Sequence, residues 1–414
     1  MKPSDMDPSL VNVSSKQDSE KNTEFIVLMA LLMSLVALTV DAMLPAMDLI
    51  GMDLAVQDPN QVQWIISAVF VGMALGLMVY GPVSDSFGRK RAIYIGIWIF
   101  LIGSVIALVS DSFYMMIAGR LIQGFGAASC RIVTMAMIRD RFSGNEMARI
   151  MSLILIFFIL VPALAPAIGQ FVLWVAHWRG IFLVILLLGV IGLLWFTFRQ
   201  PETLVKEKRL SFSFSVIVAG MAETIKHPVA RSYMLAAGLV FGALVGYLTS
   251  AQQIYQGQYQ VGDLFAFYFG ILALAVGLSS YLNSKLVMRV TMAKLCISAL
   301  VVLSLSSIGF FVHVWSLPAQ PPLFDLMLYL SVGFFCLGIP FGNFNAMAVQ
   351  PLGHIAGVAS SVIGCFQTII SVGVGSIIGQ LYDGTVIPLL AGFTLCSLGA
   401  LVIVLWIERT RGSD

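Results

Sequence analysis

Charge is what this sequence has least of. Only 11% of its 414 residues are Asp, Glu, Lys or Arg, while 59% are hydrophobic and the mean hydropathy is +0.95. Soluble proteins carry about 25% charged residues. So much apolar surface cannot be hidden in one water-soluble core, and the chain reads as a multi-spanning membrane protein. Cysteine is scarce as well. Cys130, Cys296, Cys336, Cys365 and Cys396 are scattered through apolar runs with no CxxC or other ligand spacing. That pattern points to small buried core residues and away from disulfides or a metal. The four histidines (His177, His227, His313, His354) lie at the periphery of the apolar runs. There is no phosphate-cradling glycine loop, no nucleophile–base pair and no basic stripe with interleaved aromatics. These absences argue against an enzyme, a resident cofactor, an ATP-driven pump and a nucleic-acid binder.

What the chain has is long apolar runs. A helix needs about 20 apolar residues to cross the hydrocarbon. The spans predicted are 25–47, 62–82, 92–110, 112–138, 148–174, 179–199, 231–255, 263–284, 291–314, 323–349, 355–381 and 385–407. Twelve continuous runs favour an all-α membrane protein over a barrel of short alternating strands. With the N-terminus in the cytosol, all but three of the 23 Lys and Arg fall in cytosolic tails, loops or helix ends. Arg179 lies outside, and Arg120 and Arg131 lie within a span. Asp48, Asp53, Asp58, Asp111, Asp263, Asp325 and Asp383 fill the outer loops. This asymmetry supports both the span count and two cytosolic termini.

The expected organisation is a disordered tail over 1–24, a six-helix half over 25–199, a linker over 200–230, a second six-helix half over 231–408, and a tail over 409–414. Residues 1–24 are polar and mixed in charge, and the run after them is too long for a signal peptide. The linker is basic, and its stretch SFSVIVAGMAETIKH reads as a short amphipathic helix on the membrane surface. PAIGQF (166–171) and SIIGQL (376–381) repeat at the outer end of the fifth span of each half. Parallel repeats of this kind mark many transporters.

One acid breaks the pattern. In LMSLVALTVDAMLPAM (32–47), Asp41 stands in an apolar run with Pro45 four residues later. Nearly every other acid lies in a tail, a loop or a helix end. An acid this deep is costly, and coupling transport to protons or sodium needs a deprotonatable group in the membrane. The bland alternative is an acid snorkelling to the outer interface. Asp41 lies about 9 Å from the outer end of its span and Arg120 about 12 Å from the same surface, at 1.5 Å per residue. A cavity between them with a positive wall would hold Asp41 ionised until a proton or cation arrived. Arg131 follows Arg120 by eleven residues, nearly the same helical face. It either lines that cavity or joins an inner-end cluster with Arg139 and Arg141.

Residues 81–91 read GPVSDSFGRKR. Gly81 and Pro82 end one helix, Gly88 frees a turn, Asp85 can cap backbone donors, and Arg89, Lys90 and Arg91 fix topology. The spacing of Gly81, Asp85, Gly88, Arg89 and Lys90 resembles the loop signature of the major facilitator superfamily. That resemblance covers essentially the whole chain and implies twelve helices in two six-helix halves. It implies that Asp85 meets the N-terminal end of a helix in the second half. It also implies that Arg89 meets an acid at the end of the fourth span, for which Asp140 is the candidate, the set forming a cytosolic gate. YLNSKLVMRV, the corresponding loop in the second half, lacks the Gly and Asp. RLIQGFGAA resembles the fourth-span motif of proton-coupled drug antiporters through Arg120, Gln123, Gly124, Gly126, Ala127 and Ala128. VPALAPAIGQF, with Pro162 and Pro166 bending the helix, resembles the antiporter signature at Pro166 and Gly169. Ala165 and Gln170 depart from it in the manner of the bicyclomycin-resistance branch. Asp41 and Pro45 resemble the first-span motif.

The resemblance implies a monomeric inner-membrane multidrug efflux antiporter energised by the proton gradient, with small molecules, protons and the bilayer as its only partners. Gln123, Arg131, Tyr247, Gln253, Tyr255, Asn343 and Asn345 are the candidate cavity residues. Interfacial belts and helix-to-helix hydrogen bonds are the alternative roles for the tyrosines and asparagines. An exporter or importer of a metabolite, siderophore or small peptide, including an anionic one, stays open as the alternative function.

Overall fold

The structure, a computed structural model, describes residues 8–209 and 213–411. Every regular element among them is helical. In chain order these are α1 (Pro8–Asp41), α2 (Met47–Asp53), α3 (Pro59–Val62), α4 (Trp64–Phe87), α5 (Arg89–Leu108), α6 (Phe113–Arg141), α7 (Gly144–Val175) and α8 (Arg179–Arg199). They continue with α9 (Phe214–Lys226), α10 (Pro228–Leu248), α11 (Phe265–Leu286), α12 (Met292–Ser316), α13 (Leu323–Val349), α14 (Ala356–Gln380) and α15 (Ile387–Arg411).

Ten helical stretches among the described residues are long and apolar enough to cross a membrane. One of them, 323–380, contains both α13 and α14, which meet at a kink around Leu352. α7 adds a shorter apolar helix, Leu160–Val175. Large apolar side chains such as Trp98, Phe198, Leu305 and Trp406 point outward, while polar Arg120, Gln123, Ser104 and Ser304 are buried. That inversion of the soluble pattern is what a lipid surround demands.

α1 and α4–α8 pack into one bundle and α10–α15 into another, and the two meet where α4 lies along α14 and α7 along α11. The linker helix α9 joins the second bundle. Gly220 sits against Val358 and Ile355 near the start of α14, and Thr224 is fully buried.

The tail needs correction. The structure carries α1 back to Pro8, so residues 8–24 are helical where composition predicts disorder; residues 1–7 lie outside the described residues. Helix propagation onto an existing nucleus is far easier than nucleation. The apolar run from residue 25 supplies that nucleus, and no Gly or Pro interrupts the chain between Pro8 and Asp41. Composition registers only that the segment cannot bury a core of its own.

Candidate functional site

Asp41 is the last residue of α1. Pro45, four residues on, has no N–H to offer its carbonyl, so the helix stops there and restarts after a tight turn over Leu44–Ala46. Asp41 is 6% exposed. Its carboxylate makes no hydrogen bond or ion pair among the described residues. From the other bundle Tyr247, itself 1% exposed and with a hydroxyl that has no geometric hydrogen-bond partner among the described residues, lies within electrostatic reach of it. On the near side Gly169 of α7 is pressed against the break. A β-carbon there would lie 1.8 Å from the carbonyl oxygen of Ala42 and 3.2 Å from Pro45 Cγ.

The break frees carbonyls that an unbroken helix would use. Arg120, fully buried on α6, takes one of them, its Nη2 donating to Thr39 O at 2.6 Å. Its Nη1 donates to Gln123 Oε1 at 2.6 Å and its Nε reaches Ile65 O of α4 at 3.4 Å. Gln123 Nε2 in turn donates to Ser104 Oγ of α5 at 2.8 Å. The guanidinium also stands 5.5 Å from the ring centroid of Phe182 on α8. Arg120 therefore ties α1, α4, α5 and α8 to α6 and places a cation at the negative end of α1. It does not pair with Asp41.

α4 runs on through Gly81 and Pro82 to Phe87, not ending at them as expected, and residues 81–90 build a second cluster around the turn at Gly88. Arg89 Nε donates to Asp140 Oδ2 at 2.9 Å, its Nη1 donates to Ser84 Oγ at 2.8 Å, and Asp85 closes a further ion pair with it. Asp85 Oδ2 also stands 3.6 Å from the β-carbon position of Gly357, in the first turn of α14, where a carboxylate suits the helix dipole. Gly81 packs on Ser361 of α14. Lys90 Nζ donates to the carbonyls of Gln200 and Thr197 at 2.7 and 3.3 Å, at the C-terminal end of α8. Gly88 has φ +102°, and a β-carbon there would lie 2.4 Å from Glu202 Oε2. That linker carboxylate accepts the backbone N–H groups of Arg89 and Lys90 at 2.9 and 3.1 Å, capping α5.

At the opposite end of the bundles, direct bonds join the halves. Asn60 Nδ2 donates to the carbonyls of Gln380 and Tyr382 at 3.1 and 2.9 Å, and Gln253 Nε2 donates to Asn60 Oδ1 at 2.7 Å. Gln380 Nε2 donates to Asn60 O at 2.6 Å, and the Ser67 and Ser376 hydroxyls meet at 2.7 Å. Gln170 and Trp174 of α7 both donate to Asp263 ahead of α11. Between the halves, toward the loop end, lies a cavity of about 270 Å³ bordered by α4, α6, α7, α10, α13 and α14. Among the described residues, the charged side chains lining it are Arg131 and Arg139.

The model of the Major Facilitator Superfamily matches residues 29–376, most of the chain. The chain belongs to the major facilitator superfamily. A bicyclomycin resistance protein homolog from Haemophilus influenzae is 32% identical over 92% of this chain and 94% of its own. Multidrug resistance protein MdtL from Klebsiella pneumoniae is 24% identical over 88% and 91%. Among solved structures, the xylose transporter XylE from E. coli, in a partially occluded inward-open conformation, superposes with a TM-score of 0.70 over 94% of this chain and 97% of that one, at 12% identity. The human organic anion transporter MFSD10 does so at 0.65 over 93% and 98%, at 17% identity. This major facilitator protein is a multi-pass membrane transporter with drug-resistance relatives, not an enzyme.

Within that superfamily fold, the structure brings two of the seven candidate cavity residues, Arg131 and Asn345, to the inter-bundle cavity. The other five it places elsewhere. Gln123 is held by Arg120 and Ser104. Gln253 belongs to the closure at Asn60. Asn343 exchanges two hydrogen bonds with Asn283 of α11. Tyr255 donates to Met327 Sδ, and Tyr247 sits among Tyr255, Phe269 and Phe334. A polar side chain in a span is satisfied as well by another helix as by a cavity, so residue type alone could not sort them. Pro162 and Pro166 lie inside α7, which continues through both. Asn60 and Glu202 were missed. Both meet partners more than 100 residues away, and no local spacing signals either.

Proposed function

We propose that this chain is a proton-coupled secondary transporter that exports drugs or related amphipathic small molecules across a bacterial inner membrane by alternating access. The reading includes twelve spans with both termini cytosolic. Counting α13 and α14 separately and adding α7 to the ten long stretches supports that number. The observation that carries the proposal is Asp41: an acid buried in a membrane helix, at a break, with no cation or donor bound to it. A carboxylate left so is costly unless a proton is available to it.

Proton entry under the membrane potential is worth about 2.3 kcal/mol per charge per 100 mV. With Asp41 neutral, the break in α1 packs against Gly169 and Tyr247 without a bare charge. With Asp41 ionised, the same packing is penalised, and the halves favour the arrangement that admits water to it. Arg120 holds the end of α1 in both states. The Asn60 network closes the outer side, and Asp85, Arg89 and Asp140 control the cytosolic side from the loop cluster. Pro45, Pro162, Pro166 and Gly169 shape the helices that must move. The gradient is the energy source, and the partners are substrate, protons and lipid around a monomer.

Asp41→Asn should abolish proton-driven drug export in everted vesicles while the protein still inserts and folds. Undiminished export by that variant overturns the proposal. A second reading, transport of a metabolite, siderophore or small peptide, is favoured by one observation: among the described residues the cavity is lined by cations and by no acid.

A further inference from the structure

The inter-bundle cavity presents donors in excess. Arg131 carries a guanidinium with five N–H groups and no acceptor capacity, and it makes no hydrogen bond or ion pair among the described residues. Arg139, at the mouth, is in the same condition. The two are eight residues apart on α6, which sets them about 12 Å apart along the axis and about 80° around it. Neighbouring acids are already engaged: Asp140 by Arg89 and Thr203, and Asp85 by Arg89. The hydroxyls that line the cavity donate to their own helix, Ser360 to Ala356 O and Thr368 to Gly364 O. The Gln367 amide, opposite on α14, makes no side-chain hydrogen bond among the described residues and can donate. Phe241 and Phe341, tilted 48° to one another with centroids 5.6 Å apart, supply an apolar wall.

A half-buried guanidinium without acceptors among the described residues calls for an anion, and planar carboxylates match its fork of donors. We infer that the cavity binds an amphipathic organic anion, its carboxylate on Arg131 with Gln367 beside it and its ring against Phe241 and Phe341. Arg139 draws the anion in from the mouth. The volume of about 270 Å³ lies just under the low end of small-molecule sites, about 300 Å³, and so suits a small ligand of one or two rings. The inference rests on the transport reading only for calling this cavity the substrate site. The binding chemistry stands apart from proton coupling.

The test uses the purified full-length protein in a neutral, lipid-free detergent with three probes of one size: 2-naphthoate, 2-naphthamide and trimethyl(2-naphthyl)ammonium. Binding is read as a ligand-induced rise in unfolding temperature and by titration calorimetry, with no gradient present. Naphthoate should bind at least tenfold more tightly than the amide or the cation. Arg131→Gln should remove that preference, and Arg131→Lys should keep part of it. Unliganded melting reports whether either variant has folded. Equal binding of the three probes, tighter binding of the cation, or no binding of naphthoate overturns the inference on the unmutated protein alone. A naphthoate preference that survives Arg131→Gln in a folded variant overturns the assignment to Arg131. Binding is read on the unmutated protein without a gradient and export on Asp41→Asn with one, so a failed export assay and a failed binding assay point to different errors.

Discussion

Gly169→Ala tests the contact on which the Asp41 site is built. In the interior of an ordinary helix this change is favourable by about 0.5–1 kcal/mol, because alanine loses less backbone freedom on folding. Here the added β-carbon would stand 1.8 Å from the carbonyl oxygen of Ala42, where ordinary contact begins at 3.4 Å. The obstacle is backbone rather than a flexible side chain, so α7 must back away from the break by roughly 1 Å or more in a densely packed interior. Overpacking of this kind costs about 1–3 kcal/mol. The cost exceeds the propensity gain, and a net destabilisation of about 1–2 kcal/mol is expected. Gly309→Ala is the matched control, since it lies in α12 with nothing within 4 Å of the added carbon, and it should be neutral or slightly stabilising. A thiol-reactive fluorophore suits the measurement because all five cysteines are free and buried, and label only as the protein unfolds. Gly169→Ala should melt below the unmutated protein, with drug export reduced as α7 withdraws from Asp41. If Gly169→Ala melts at or above the unmutated protein, as Gly309→Ala should, the close approach of α7 to the break is wrong.

Asn60→Ala removes three side-chain hydrogen bonds that join α3 to the second bundle. At about 0.5–1.5 kcal/mol each, this biases the equilibrium toward outer opening. A cysteine introduced at Ser67 should then react faster with an impermeant thiol reagent, and an unchanged rate argues against this closure. Glu202→Ala leaves the N-terminus of α5 uncapped, a loss of about 1 kcal/mol. It also frees Arg209, whose Nη2 lies 3.9 Å from Glu202 Oε2. The melting temperature should fall, and Glu202→Gln, which keeps an acceptor, should recover part of the loss. Equal stability of Glu202→Ala and the unmutated protein counts against the cap.

Part of the candidate site was legible without coordinates. Asp41 stood out because charges are excluded from apolar runs, and Pro45 announced the end of its helix by lacking an N–H. The spacing of Arg89 and Lys90 after Gly88 marked a turn at a helix start, and the family resemblance pointed to Asp140, at the end of the fourth span, as the partner of Arg89. The acceptors of Arg120 were not legible. Thr39 and Ile65 offer backbone carbonyls, which carry no residue identity, and only the break in α1 frees the first of them. Gln253, Asn343 and Tyr255 resembled cavity residues because they are polar in apolar surroundings, yet packing gave each a partner on another element.

The sequence by itself determined that the chain crosses the membrane many times as helices, which end of it bears the basic loops, and which acid is isolated within a span. Those properties follow from hydropathy, helical rise and residue charge, each read within about 20 residues along the chain. Only the tertiary structure decided that Arg120 serves the end of α1 instead of pairing with Asp41, that Glu202 caps a helix begun 113 residues earlier, and that Arg131 and Arg139 share a cavity with no acid among its described lining. Those relations depend on how helices from distant parts of the chain lie against one another. Buried donors take whatever acceptors that packing brings within reach, and in a membrane no water competes for them.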